Sequence, residues 1–186
     1  MRPIVTLIDN LLTPDECQLI IDLNKDRLES AYLSNKVVDT KIRRSKIAWI
    51  NPRDPNTDPR LRGIIDKCNY HMSQAAKKHD IELKVFELPQ FTQYTSFGHY
   101  NKHCDVAING GKRILSATIE LSNSNDYYGG GISIQCGSDN HRYKRSQGSM
   151  VIFPSILTHQ ANTVWWGTRY SLVLWGIDHN TIGNKK

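Results

Sequence analysis

Two histidines and an aspartate in this chain have the types and spacing of a metal site. His103 and Asp105 are separated by one residue, and His159 comes much later in the chain. Two imidazoles and a carboxylate on one side of an ion leave its other coordination positions open, as in non-haem Fe(II) sites. These three residues are therefore the candidate ligands of an open, catalytic iron centre.

A β-strand over about 99–106 would position the first two ligands. Alternate side chains of a strand point to the same side, so His103 and Asp105 could reach one ion while Cys104 points away. His99 lies too far along such a strand to share the ion. Because a His-x-Asp pair is weak evidence alone, the assignment depends on the residues further along the chain.

A basic residue follows the third ligand at the head of an apolar segment. Arg169 opens the predicted strand 168–177, where an unpaired cation would be costly to bury. Its planar guanidinium can pair bidentately with a carboxylate, and Ser171 on the same strand face can donate to the same oxygens. Trp175 shares that face, either as a wall of the pocket or as core. We expect an anion-binding cavity that also contains the metal.

Two tyrosines precede the ligand pair. Tyr94 and Tyr100 each carry a phenol that could donate a hydrogen bond to a bound carboxylate. For Tyr100, a position in the core or at the rim of the pocket is an equal alternative.

Composition limits the class of protein. The chain has 186 residues with 39% hydrophobic and 23% charged content, typical of one soluble globular domain. Four cysteines stand singly, which favours reduced thiols and a cytoplasmic location. No secretory signal or membrane span is expected. The net charge of +6 is spread along the chain, through residues such as Arg43 and Arg113, and we interpret it first as solvated surface.

Helices are predicted in the first half of the chain. Thr13 with Pro14 and Glu16 forms a capping signature for a helix that runs to about Arg27. Apolar residues at helical spacing predict a second helix over about 59–79.

Short strands dominate from about residue 82. A Gly-rich turn at 126–131 interrupts them, and many short strands with turn punctuation are typical of a sandwich or barrel. We predict a single domain with helical support at about 10–80 and a β core at about 82–178. The predicted strands are 82–88, 90–96, 99–106, 113–122, 131–136, 149–153, 160–164 and 168–177.

These motifs together resemble the Fe(II)/2-oxoglutarate dioxygenases of the prolyl 4-hydroxylase-like group, and the resemblance covers the chain from about residue 10. The lead-in to the ligand pair, the next strand and Gly turn, and the closing segment all contribute. The matching segments are Tyr94 to Asp105, Leu115 to Gly131, Phe153 to His159 and Gly167 to Trp175.

The resemblance implies a mainly β fold of the α+β class, a double-stranded β-helix (jelly roll) with N-terminal supporting helices. It implies Fe(II) on His103, Asp105 and His159, with 2-oxoglutarate and O2 as co-substrates, ascorbate as a candidate reductant, and succinate and CO2 as products. The far carboxylate of 2-oxoglutarate would pair with Arg169, in a pocket completed by the side chains of Tyr94, Ser171, Thr118 and Trp175.

The upstream segment from Ile42 to Ile50 resembles the corresponding segment of prolyl hydroxylases that act on protein substrates, including the oxygen-sensing enzymes. There, a mobile flap covers the substrate; Ser34 to Lys41 would be its counterpart, and Arg43, Arg44 and Tyr100 would lie beside the substrate. Ser45 departs from the oxygen-sensing enzymes, which carry an acidic residue at this position. The expected partner is therefore a proline-containing peptide or protein.

Other functions are weighed against this one. A free amino-acid (proline) hydroxylase is the nearest alternative. A nucleic-acid demethylase would use the basic charge, but Trp175 stands where such relatives have a second arginine. A halogenase would need Asp105 replaced by a small residue. A non-catalytic jelly-roll binding module would not need the complete ligand set. No membrane partner is expected.

Overall fold

The computed structural model describes residues 5–32, 37–83, 85–105, 113–143 and 146–177. The described residues form two α-helices, a short 3₁₀ turn at Lys25–Arg27 and fifteen strands. The helices are α1 (Pro14–Asn24) and α2 (Pro59–Lys77). The strands are β1 Thr6–Ile8, β2 Glu29–Ser30, β3 Arg43–Arg44, β4 Lys46–Trp49, β5 Val85–Phe86, β6 Gln90–Tyr94, β7 His99–His103, β8 Arg113–Glu120, β9 Tyr127–Gly129, β10 Ile132–Cys136, β11 Asp139–Tyr143, β12 Met150–Pro154, β13 His159–Ala161, β14 Val164–Gly167 and β15 Arg169–Ile177.

The strands form two main antiparallel sheets and a small ribbon. The major sheet has the order β1-β12-β8-β15-β6-β4-β2, with β5 also paired to β15. The minor sheet has the order β11-β10-β13-β7-β3, and β14 pairs with β9 as the ribbon. Apolar residues of β10 pack against apolar residues of β12, so the two sheets face each other. This mainly β architecture agrees with the prediction.

Both helices begin where the sequence predicts, and each start is capped by a side chain. Thr13 accepts a hydrogen bond from the backbone N–H of Glu16, and the Glu16 carboxylate accepts from the backbone N–H of Thr13. Asp58 caps α2 by accepting from the backbone N–H of Arg60. The first helix ends at Asn24, where a 3₁₀ turn replaces the last predicted turn. Neither described helix is long and apolar enough to cross a membrane.

The helices cover the outer face of the major sheet. The alternation of side chains divides each central strand: Leu172 and Leu174 of β15 join the helices in the main core, as do Ala117 and Ile119 of β8. The intervening residues of both strands turn towards the minor sheet. The same polypeptide therefore supplies a dry core on one face and a polar cavity wall on the other.

Several predicted strand boundaries are wrong. The predicted strand 99–106 ends at His103, and 160–164 is divided between β13 and β14. Part of the predicted turn at 126–131 forms β9, although Gly129, Gly130 and Gly131 all have positive φ as a turn requires. The edge strands β1 and β11 were not predicted.

The contact between the N-terminal segment and β12 depends on a glycine. Gly148 has a φ of 78° and accepts a hydrogen bond from the backbone N–H of Leu12. A Cβ on Gly148 would lie 2.0 Å from the backbone oxygen of Leu12. The close approach, together with the backbone angle, excludes any side chain.

We expect Gly148→Ala to lower the free energy of unfolding by about 3 kcal/mol or more, because backbone must move to admit the methyl group. Gly137→Ala is the matched control, since Gly137 also has positive φ but open space around its Cβ position. It should lose only about 1–2 kcal/mol, the cost of the left-handed conformation. Urea unfolding of both variants measures the difference, and equal losses would contradict the steric explanation.

Candidate active site

The three candidate metal ligands converge between the two sheets. Their ligand atoms all lie within 4.8 Å of one another. His103 ends β7 and His159 begins β13, and the two are directly paired in the antiparallel register. Their side chains therefore emerge on the same side of the minor sheet, with ring centroids 4.2 Å apart.

Hydrogen bonds fix which ring nitrogen of each histidine faces the centre. Nδ1 of His103 lies 2.7 Å from the backbone oxygen of Asn101, and Nδ1 of His159 lies 2.9 Å from that of Leu157. Each Nδ1 therefore carries the proton that it donates, which leaves the Nε2 lone pair for a metal. The two Nε2 atoms lie 3.8 and 3.4 Å from the nearest Asp105 oxygens. This donor set fits Fe(II) with positions left open.

Asp105 reaches the centre from beyond the end of its strand. Its backbone N–H donates to the oxygen of Ser155, not to a strand neighbour. The prediction that one strand carries both His103 and Asp105 is therefore wrong, because pairing with β13 stops at His103. Cys104 is exposed and lines the cavity instead of pointing away from it, with its sulfur 3.5 Å from the Thr158 hydroxyl.

The Asp105 carboxylate is held by the major sheet. Its Oδ2 accepts hydrogen bonds from the Ser116 hydroxyl and from the indole N–H of Trp175, both at 2.8 Å. Ser116 and Trp175 are cross-strand partners on β8 and β15. A loop carboxylate is thereby positioned by two rigid strands before any metal arrives.

The Arg113 cation stacks on the indole ring of Trp175. The Arg113 guanidinium lies 3.9 Å from the indole ring and 4.0 Å from Asp105 Oδ1, and it forms a bidentate ion pair with Glu87. Trp49 also contacts the indole, with ring centroids 5.9 Å apart. These contacts leave the Trp175 ring little freedom to turn its N–H away from Asp105.

The environment keeps the ligands in their metal-binding protonation states. Burial lowers the pKa of His103 to about 4, assisted by the neighbouring His159. Burial would raise the pKa of Asp105, but the contacts with His159 and Trp175 outweigh it and lower the pKa. Near neutral pH the site therefore presents neutral His103 and an ionised carboxylate.

One cavity of about 640 Å³ contains the metal ligands and the predicted anion-binding residues. Arg169, Ser171, Val173 and Trp175 line it as alternate residues of β15, as the shared strand face predicted. Its lining also includes the remaining predicted pocket residues, Tyr94, Thr118, Tyr100 and Arg43. Ser116, Arg113 and Glu87 were not predicted to have roles here.

Arg169 is buried, as predicted, but it is already paired. Its Nε–H donates to Glu120 at 2.8 Å, and its guanidinium carbon lies 5.5 Å from the centroid of the Tyr94 ring. The terminal NH2 groups of Arg169 are the part that remains for a ligand carboxylate. Glu120 was not predicted, although a charged residue in the apolar run 115–121 is itself the signal of a buried pair.

The predicted substrate-side residues lie on and beside the minor sheet. Arg43 of β3 is the cross-strand partner of Tyr100, and its guanidinium carbon lies 4.6 Å from the centroid of the Tyr100 ring. The His103 ring stacks on the same tyrosine, with ring centroids 3.6 Å apart. Arg43 and Arg113 are both buried, so their interpretation as solvated surface charge was wrong. Arg44 is exposed. Residues 34–36 of the predicted flap lie outside the described residues.

The part of the chain that contains these residues matches a known protein family. The model of the 2OG-Fe(II) oxygenase superfamily matches residues 89–176, which include all three ligands and Arg169. A PKHD-type hydroxylase of Crocosphaera subtropica is 27% identical over 92% of this chain and 77% of that protein. One of Nitrobacter winogradskyi is 38% identical over 51% of this chain, which spans only 45% of that relative.

Solved structures give the same fold. A Pseudomonas putida prolyl-4-hydroxylase matches with a TM-score of 0.77 at 18% identity, covering 95% of this chain and 94% of that one. A Trichoplax adhaerens prolyl hydroxylase, solved with a hypoxia inducible factor peptide, matches with a TM-score of 0.81 at 18% identity, covering 99% and 88%. These matches confirm the predicted double-stranded β-helix.

We expect Trp175→Phe to weaken Mn(II) binding by about tenfold or more, because Asp105 loses a donor that orients it while a smaller aromatic ring stays in the same position. His159→Ala removes a ligand and should weaken binding further. Trp166→Phe is the control, since Trp166 is exposed. Calorimetric titration with Mn(II) measures all three, and wild-type affinity in Trp175→Phe would remove the indole from the metal site.

Proposed function

Because the model of the 2OG-Fe(II) oxygenase superfamily matches residues 89–176 of this chain, we propose that the protein hydroxylates prolyl residues in a peptide or protein, consuming 2-oxoglutarate and O2 and releasing succinate and CO2. One observation carries the proposal: the histidine and aspartate ligands and the buried Arg169 line the same cavity. A metal chelated by one end of 2-oxoglutarate and a guanidinium for its other end are the two anchors that such a co-substrate needs.

His103, Asp105 and His159 would hold the iron, which supplies the oxygen activation that protein side chains cannot provide. The NH2 groups of Arg169 bind the far carboxylate of 2-oxoglutarate, and the Ser171 hydroxyl donates to it from the same strand face. Tyr94, across the strand from Arg169, packs beside this end of the cavity.

The opposite part of the cavity is suited to a proline ring. Its lining includes Tyr32, Ile42 and Trp49, which are 53%, 40% and 42% exposed and therefore mark the opening. Aromatic surfaces favour flat contact with proline, as in other proline-binding grooves. Tyr100, stacked on His103, continues this aromatic wall to the metal.

The proposed substrate class takes its support from solved prolyl hydroxylases of the same fold. The Trichoplax protein is a prolyl hydroxylase solved with a peptide, and the open cavity mouth of the present chain would admit an extended peptide. A location in the cytoplasm, where thiols stay reduced, suits the four free cysteines. Arg44, exposed beside the mouth, would contact the substrate backbone or an acidic side chain.

We expect incubation with Fe(II), 2-oxoglutarate and proline-containing peptides to add one oxygen to proline with matching release of succinate. Tandem mass spectrometry locates the oxygen, and peptides with alanine in place of proline are the control. Free L-proline, tested in parallel, would be the better substrate of an amino-acid hydroxylase. Succinate release with proline left unmodified in every peptide would overturn the substrate assignment, and the absence of succinate would overturn the activity.

The role of Arg169 requires a variant that leaves no unpaired buried charge. Removing the guanidinium alone would strand the Glu120 carboxylate, so the test uses the double variant Glu120→Gln/Arg169→Gln. We expect its affinity for 2-oxoglutarate to fall by about 100-fold, the loss of a charge-assisted pair, with Mn(II) affinity kept.

The control ligand is 2-oxopentanoate, which has the same chelating end but no far carboxylate. Calorimetric titration of the Mn(II)-loaded proteins should show equal affinity of wild type and double variant for it. If the variant loses affinity for both ligands alike, Arg169 does not bind the far carboxylate.

A further inference from the structure

A second carboxylate lies behind the proposed co-substrate anchor. Glu120 and Arg169 are 5% and 4% exposed, and their side chains meet at 2.8 Å. Arg169 and Thr118 line both the main cavity and a small neighbouring void, whereas Glu120 lines only the void. The guanidinium therefore separates the Glu120 carboxylate from the cavity.

Among the residues that the structure describes, the titratable side chains beside this pair are phenols and a thiol. Tyr127 of β9 faces Glu120, and burial together with the Glu120 charge raises the Tyr127 pKa. The Cys17 sulfur of α1 lies 4.0 Å from the Glu120 backbone oxygen, and burial raises its pKa to about 12. Tyr94 of β6 lies beside Arg169, and Tyr143 of β11 lines the void. Tyrosine and cysteine side chains carry no positive charge in either protonation state, so among these neighbours Arg169 supplies the positive charge.

Binding of 2-oxoglutarate would place a second carboxylate against the same guanidinium. One positive charge would then serve two anions, both shielded from water, and the uncompensated charge would be costly. A proton is the smallest change that restores neutrality, because it bonds to a carboxylate oxygen without moving the strands.

We propose that Glu120 takes up a proton from solvent when 2-oxoglutarate binds, so that co-substrate affinity is coupled to pH through this residue. The inference rests on the proposed function, in which Arg169 receives the far carboxylate. The proton bonds to a Glu120 carboxylate oxygen, and the neutral acid still accepts from Arg169 Nε. Burial already raises the pKa of Glu120 in the free protein, so less free energy is needed to protonate this carboxylate when 2-oxoglutarate binds.

The direction of the pH dependence follows from linkage. The complex binds the proton more tightly than the free protein, so affinity for 2-oxoglutarate is greatest at low pH. Between the pKa of Glu120 in the free protein and its higher pKa in the complex, the dissociation constant should rise by about tenfold for each pH unit. A ligand without the far carboxylate should lack this dependence.

Calorimetry in buffers of different ionisation enthalpy counts the protons. The Mn(II)-loaded wild type should take up about one more proton when it binds 2-oxoglutarate than when it binds 2-oxopentanoate. The binding of 2-oxopentanoate measures any proton exchange that occurs at the metal end of the cavity. Glu120→Gln keeps the acceptor for Arg169 but cannot be protonated. It should show no extra uptake and should bind 2-oxoglutarate severalfold more tightly than wild type in alkaline buffer.

Glu16→Gln is the matched control, because Glu16 pairs with Lys67 outside the cavity and glutamine also completes a capping box. It should behave as wild type. Equal proton uptake with both ligands in wild type would overturn the proton coupling and leave the proposed function standing, and that comparison holds even if Glu120→Gln folds poorly. If folded Glu120→Gln still takes up the extra proton, Glu120 is not the residue that binds it. If wild type binds 2-oxoglutarate no more tightly than 2-oxopentanoate, both the proposed function of Arg169 and the proton coupling are overturned.

Discussion

The Asp105 carboxylate joins the two sheets, and the candidate metal site depends on that junction. The two histidines come from paired strands of the minor sheet, but Asp105 lies beyond the end of its strand and is fixed by Ser116 and Trp175 of the major sheet. If the sheets separated, the histidines would stay paired while the third ligand lost its position. The ligand geometry is thus a consequence of the whole sandwich and not of one motif.

The same sandwich accounts for the unusual number of buried charges. Arg169 pairs with Glu120, and Arg113 pairs with Glu87, each through hydrogen bonds at 2.6 to 2.8 Å. Buried ions without partners would cost several kcal/mol each, so these pairs allow buried cations to line the cavity. The first pair anchors the far end of the cavity, and the second braces the indole that orients Asp105.

Local signals in the sequence were sufficient for some elements and insufficient for others. Thr13 marks the start of α1 because caps act on neighbouring backbone, and the alternation along 169–175 correctly predicts which residues share the cavity. The sequence does not show that Asp105 lies beyond the end of β7, because the end of that strand is set by its pairing with β13. Glu120 illustrates the remaining difficulty: its apolar surroundings indicate a buried partner, but only the register of β8 against β15 identifies Arg169.

The candidate site is organised before any ligand binds. Both Nδ1 atoms are engaged by backbone oxygens, Asp105 accepts two fixed donors, and Trp175 contacts both Arg113 and Trp49. Little conformational entropy then remains to be lost when a metal enters, so more of the coordination energy appears as affinity. At the other end of the cavity, Arg169 is held in place by the Glu120 carboxylate. Bound 2-oxoglutarate would place a second carboxylate beside the same guanidinium. In the proposed function, the metal end of the cavity is therefore prepared by geometry, whereas the co-substrate end would be adjusted by charge.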